Sequence, residues 1–143
     1  MKRHNLKIAL VIEPVDGFRR SAVQFLRNRG WIVHGVRRAE HAFPVLTQIP
    51  YNLVVIGSEQ AGMTMVEFVR VISTSKVWNS MSLAVIAKES DGIFDEELMS
   101  LGAFLTQKAT WKGDLLDFLA TVEDPVDGTL IPAVEAKRVV LAG

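Results

Sequence analysis

No cysteine occurs among the 143 residues. That excludes a disulfide framework, a thiolate zinc site and thiol catalysis. Long apolar runs are missing too. The opening MKRHNLKIALVIEP has a basic start and a short apolar run. The run breaks at Glu13 and Pro14, too early for a signal peptide's apolar core and cleavage site. No stretch approaches the ~18 apolar residues of a membrane span. Net charge is zero, with 16 basic against 16 acidic residues, so no polyanion partner, nucleic acid included, is expected. Histidine is scarce: His4, His34 and His41 have no zinc-type spacing to one another or to carboxylates, and no metal or other cofactor is expected. The chain also lacks G-x-G-x-x-G, a P-loop and a G-x-S-x-G elbow.

The length suits one domain with a real core, and a cytoplasmic location is expected. Short apolar runs alternate with segments of helical period. LKIALVI (6–12), WIVHGV (31–36), LVVIG (53–57), LAVIA (83–87) and a short run at 103–106 read as strands. Between and after them, helices are predicted. The first starts at Asp16 as N-cap and stops at Gly30. The second covers 42–49 with Pro44 in its first turn. The third covers 65–72, the fourth 94–101 before Gly102, and the fifth 112–122, with Leu115, Leu116, Phe118 and Leu119 inward. Five βα units in succession predict a doubly wound α/β fold. Its five-stranded parallel sheet would carry helices on both faces.

Charge is unevenly placed. Residues 1–50 hold nine basic and three acidic residues, and the rest of the chain seven and thirteen. Such runs read first as solvated helix faces. Residues 1–122 are expected to form the domain. Residues 123–143 break the alternation after EDPVDG and read as a tail, a linker stub or a dimerisation arm. Trp78 and Trp111 fall at predicted loops or helix starts and are expected to be half exposed.

In open parallel sheets, ligands bind beyond the carboxyl ends of the strands. The residues there are Glu13, Pro14 and Asp16; Gly57, Ser58 and Glu59; Ala87 and Lys88; and Lys108. This organisation, with an acid ending the first strand, resembles the response-regulator receiver domain, the CheY-like family. IALVIEPVDGFRRSAVQFLRNRGWIV is similar to its first βαβ unit. NLVVIGSEQAGMTMVEFVRVI, with Gly62-Met63, is similar to its third strand, loop and helix. LMSLGAFLTQK, with Gly102-Ala103, resembles its turn into the fifth strand. The resemblance spans residues 6–122.

The family's chemical residues are mostly replaced. Its phosphoryl-accepting Asp corresponds to Gly57, which has no nucleophile. Of its metal-binding acidic pair, Glu13 keeps one member and Pro14 replaces the other, and a hard cation needs more oxygen ligands than that. Its Thr/Ser switch corresponds to Ala87. Lys108 stands for the fifth-strand Lys, without the Pro that follows it. Ser58 and Glu59 read as loop residues, since nothing beside them would stabilise a transferring phosphoryl group. The resemblance therefore implies a degenerate receiver: a non-enzymatic, phosphorylation-independent signalling module acting on a protein partner or effector domain. It also implies a homodimer through the face of the fourth helix, fifth strand and fifth helix, drawing on Phe94, Leu98, Leu101, Phe104, Trp111, Leu115 and Phe118. The alternative is a small-ligand or anion site in the space that an Asp at position 57 would fill, with Lys88 and Lys108 favouring an anion.

Overall fold

A computed structural model describes residues 7–57, 63–88 and 92–123, with the side chains of 92–94 left aside. Ser58, Glu59, the side chain of Phe94 and the tail from 124 onward lie outside the described residues. The chain runs β1 (Ile8–Ile12), α1 (Asp16–Arg27), β2 (Ile32–Val36), a 3₁₀ turn (Ala39–His41), α2 (Ala42–Leu46), β3 (Leu53–Gly57), α3 (Met65–Thr74), β4 (Ser82–Ala87), α4 (Gly92–Ser100), β5 (Phe104–Gln107) and α5 (Trp111–Glu123). The sheet order is β2-β1-β3-β4-β5, and every pairing is parallel. This is the doubly wound α/β architecture that the alternating pattern predicts. It sets the basic amino-terminal half at the β2 edge and the acidic α4 and α5 at the β5 edge.

β1, β3 and β4 are apolar almost throughout because both their faces are covered. Successive residues alternate between two cores. Leu10, Ile12, Val54, Ile56, Leu83 and Val85 pack with Leu46 of α2, Phe68 and Ile72 of α3, and Leu98 of α4. Ala9, Val11, Val55, Ala84 and Ile86 pack with Leu26 of α1 and with Trp111, Leu115 and Phe118 of α5. Small residues, Ala9 and Ala84, stand on the second face where the aromatics are bulky. Phe104 stacks on Phe118 with centroids 4.5 Å apart. Trp111 meets the edges of Phe18 and Phe25 at 5.5 and 5.0 Å. Each such fully buried side chain contributes about 1.5–3 kcal/mol.

Several local expectations are corrected. Asp16 is the first residue of α1, and Val15 takes the N-cap position without a side-chain bond. The segment 42–49 is helical only to Leu46, after the 3₁₀ turn. α5 starts one residue earlier and ends one later than the pattern predicts, at Trp111 and Glu123. Leu116 faces solvent, because four residues at 115, 116, 118 and 119 span more of the helix than its packed face. Trp111 is buried between α1 and α5, whereas Trp78 is half-buried as expected. Gly30 and Gly102 adopt φ of 89° and 91° after α1 and α4, the left-handed stop that glycine permits. His34 lies on the edge strand β2, exposed, with Nδ1 2.7 Å from the hydroxyl of buried Tyr51. Burial raises the Tyr51 pKa above its ordinary value.

Candidate functional site

The carboxyl ends of β1, β3, β4 and β5 bring Glu13, Pro14, Asp16, Gly57, Ala87, Lys88 and Lys108 to one end of the sheet. Glu13 is held by the strand it ends: its N–H donates to Val36 O at 3.0 Å. Its side chain turns inward and is 3% exposed. Oε2 accepts the Val15 N–H at 2.9 Å, tying the β1–α1 loop to the carboxylate. The other carboxylate oxygen points at Gly57. A Cβ built on Gly57 would overlap Glu13 Oε1 and stand 3.1 Å from Glu13 Cδ. The space that an Asp at position 57 would fill is therefore taken by the Glu13 carboxylate. The expectation of free space at this position is corrected: a side chain on Gly57 would meet the Glu13 carboxyl group.

Asp16 is not part of this buried pair. It is exposed and bound by α1 and the residue after β2: Arg19 Nη2 donates to Oδ1 at 2.7 Å, and Arg37 lies 3.4 Å from Oδ1. The Arg19 hydrogen bond and the Arg37 charge hold its carboxyl below the usual carboxylate range. Arg19 also donates to the Glu13 main-chain oxygen at 2.9 Å, so one guanidinium braces the whole turn. The i, i+3 spacing of Asp16 and Arg19 is the sequence signal for that brace.

Ala87 presents no hydroxyl, and its carbonyl accepts the Lys108 N–H at 2.8 Å. Lys88 is exposed and engaged in an interaction of its own. Lys108 follows β5, and its Nζ lies 4.8 Å from the centre of the Phe18 ring of α1, a cation–π contact. Thr106, one turn of the strand earlier, is buried and donates to Asp114 Oδ2 at 2.7 Å, which also accepts Thr110 at 2.8 Å. That bond fixes α5 on β5 and was not singled out from the sequence. Among the described residues, no group of three or more His, Asp or Glu side chains is arranged to hold a metal ion.

The residues expected at a dimer face are mostly spent inside the domain. Leu98, Phe104, Trp111, Leu115 and Phe118 are all buried, and Leu101 packs against the same core as Leu98. Apolar residues of α5 and β5 must cover the sheet before they can meet a partner. Among the described residues, the large apolar side chains exposed on these elements are instead Met99 and Leu116, accompanied by exposed Glu96 and Asp117.

No protein-family model and no curated protein matches the sequence. Solved structures do match in shape. A response regulator receiver protein from Pseudomonas putida superposes with a TM-score of 0.75 at 21% identity, covering 83% of this chain and 99% of that one. The chemotaxis protein CheY4 of Vibrio cholerae gives 0.74 at 17%, covering 82% and 99%. The signal receiver domain of an HD domain-containing protein from Pseudomonas fluorescens gives 0.75 at 15%, covering 94% and 99%. The parallel sheet, its strand order and its flanking helices are those of the response-regulator receiver fold.

Proposed function

We propose that the chain is a cytoplasmic receiver-like signalling module that works by protein–protein contact, without phosphorylation at the strand-end site and without enzymatic activity of its own. The observation that carries this reading is the Glu13 carboxylate filling the side-chain volume at Gly57. The Glu13 side chain stands where a receiver of the phosphorylated kind would present its nucleophile, and Ala87 offers no hydroxyl to answer a phosphoryl group. The same side chain disfavours the small-ligand alternative, since it occupies the volume beside Gly57 that a ligand would enter.

The proposed partner surface draws on the apolar side chains that α4, β5 and α5 expose among the described residues, Met99 and Leu116, flanked by Glu96 and Asp117. A partner, or a second copy, would use these side chains and not the buried aromatics.

Incubation with a labelled acyl-phosphate donor and Mg²⁺ tests the phosphorylation claim. The expected result is no label. Stoichiometric, acid-stable and base-labile label on the chain would overturn it.

A further inference from the structure

Among the described residues, strand β2 ends the sheet on one side and pairs with β1 alone. The phase of that pairing is fixed at both ends. The Ile32 N–H donates to Lys7 O at 2.8 Å, and Val36 O accepts the Glu13 N–H at 3.0 Å. In a parallel ladder, alternate residues turn both N–H and C=O toward the neighbouring strand. In β2 these are Ile32, His34 and Val36. The N–H and C=O groups of Val33 and Gly35 therefore point away from β1, along the open edge. One of them is taken: Val33 O accepts Arg27 Nη2 of α1 at 3.0 Å. Among the described residues, the Val33 N–H and both Gly35 groups have no partner. Gly35 is exposed. Such a row of backbone groups is a template for a further strand.

The two faces of this edge differ. Val33 packs into the core under α1, so Ile32 and His34 stand on the opposite face. On the α1 face, Arg27 reaches the strand itself, and Arg20 lies about two helical turns earlier on the same stripe. Arg37 and Arg38 follow the end of β2. Arg20, Arg27, Arg37 and Arg38 are all exposed. The acid beside them, Asp16, is held by Arg19 and lies next to Arg37. Among the described residues, Arg20, Arg27 and Arg38 have no carboxylate within ion-pair distance. The other face presents Ile32, which is 50% exposed. An added strand alternates its side chains in the same way: one set would meet the arginines, the other Ile32. A second copy of β2 would bring like charges together, so charge disfavours self-pairing and favours an acidic occupant.

We propose that the β2 edge binds an extended acidic segment of a partner protein by strand addition, with carboxylates toward α1 and apolar side chains over Ile32. Main-chain bonds to Val33 and Gly35 give affinity, and the two faces select an alternation of acid and apolar residue. This edge is separate from the surface of Met99 and Leu116. It stands on strand geometry and charge, independently of the phosphorylation reading.

The test uses the full chain and, as probe, an acetylated and amidated pentapeptide alternating glutamate with valine. With peptide at about ten times its Kd, the Val33 and Gly35 amide protons are expected to exchange with water about tenfold more slowly. The Ile32 and His34 amides, already facing β1, are expected to keep their rates. A peptide methylated on its backbone nitrogens, or carrying lysine for glutamate, is expected to leave all these rates unchanged. Arg20→Glu combined with Arg38→Glu is expected to raise the Kd of the glutamate peptide about tenfold or more, through two exposed charge contacts reversed. The urea midpoint should stay where it is, since both side chains are at the surface. No slowing at Val33 and Gly35 at the highest peptide concentration reached would overturn the proposal. Equal binding of the methylated peptide would overturn strand addition, and equal binding of the lysine peptide, or by the double variant, would overturn the acidic partner.

Discussion

Replacing Gly57 by alanine adds one methyl group directly onto the Glu13 carboxylate. Both groups are enclosed by their strands, so neither yields without moving backbone. Overpacking of this kind costs about 1–3 kcal/mol. Gly57→Ala is expected to lower the urea midpoint accordingly. Glu13→Ala placed in the same chain should recover part of the loss, because the clash is between these two positions. Equal and additive losses in the two single variants would show that the positions do not touch. The sequence shows a glycine where its relatives in shape would carry chemistry. It does not show that the carboxylate one strand over has moved into the vacancy, since that depends on the in-register pairing of β1 with β3, Ile12 against Ile56.

Helix α3 begins with a capping box. Thr64 Oγ1 accepts the Glu67 N–H at 3.2 Å, and the Glu67 side chain accepts the Thr64 N–H at 2.9 Å. Thr64→Ala is expected to cost about 1 kcal/mol, read by thermal unfolding. The bond from the Thr64 backbone, then the one from its hydroxyl, lowers the Glu67 pKa. A depressed folded-state pKa gives stability that is present above the unfolded value and is lost as pH falls through the folded one. The Thr64→Ala deficit should therefore shrink in acid; a deficit independent of pH would count against the box. On β5 and α5 the exposed and buried residues make opposite predictions. Phe104→Ala opens the stack on Phe118 and is expected to cost about 3–5 kcal/mol while leaving any association of surviving folded chain unchanged. Leu116→Glu should change stability by less than about 0.5 kcal/mol and weaken partner binding, checked by sedimentation alongside urea unfolding. Helical period alone places Leu115, Leu116, Phe118 and Leu119 on one broad face. Only the packing against Phe104 and Trp111 selects which of them are core.

Across the whole domain, Glu123 joins the last helix to the start of β1 and the turn into β2 through Lys7, Arg29 and Trp31. Glu123→Gln keeps the shape and removes the charge from hydrogen bonds worth about 2 kcal/mol each when charge-assisted. The expected outcome is a lower melting temperature and a changed Trp31 emission, with the far-ultraviolet spectrum retained. An unaltered melting temperature would show that the clamp contributes nothing. These partners are 92 and 94 residues apart along the chain for Trp31 and Arg29, a separation no local pattern reveals.

The sequence by itself determined the class of fold, because buried parallel strands and amphipathic helices each leave a periodic apolar record. It also determined that position 57 carries no nucleophile and position 87 no hydroxyl. Tertiary structure decided how those positions are used. The register of β1 and β3 filled the space at Gly57 with Glu13. The sheet's demand for cover drew Leu98, Phe104, Trp111, Leu115 and Phe118 inward, away from any partner. Chain path and strand order placed Glu123 at the end of α5 beside Lys7, Arg29 and Trp31. Each is a contact between segments far apart in sequence, and such contacts exist only once the sheet has formed.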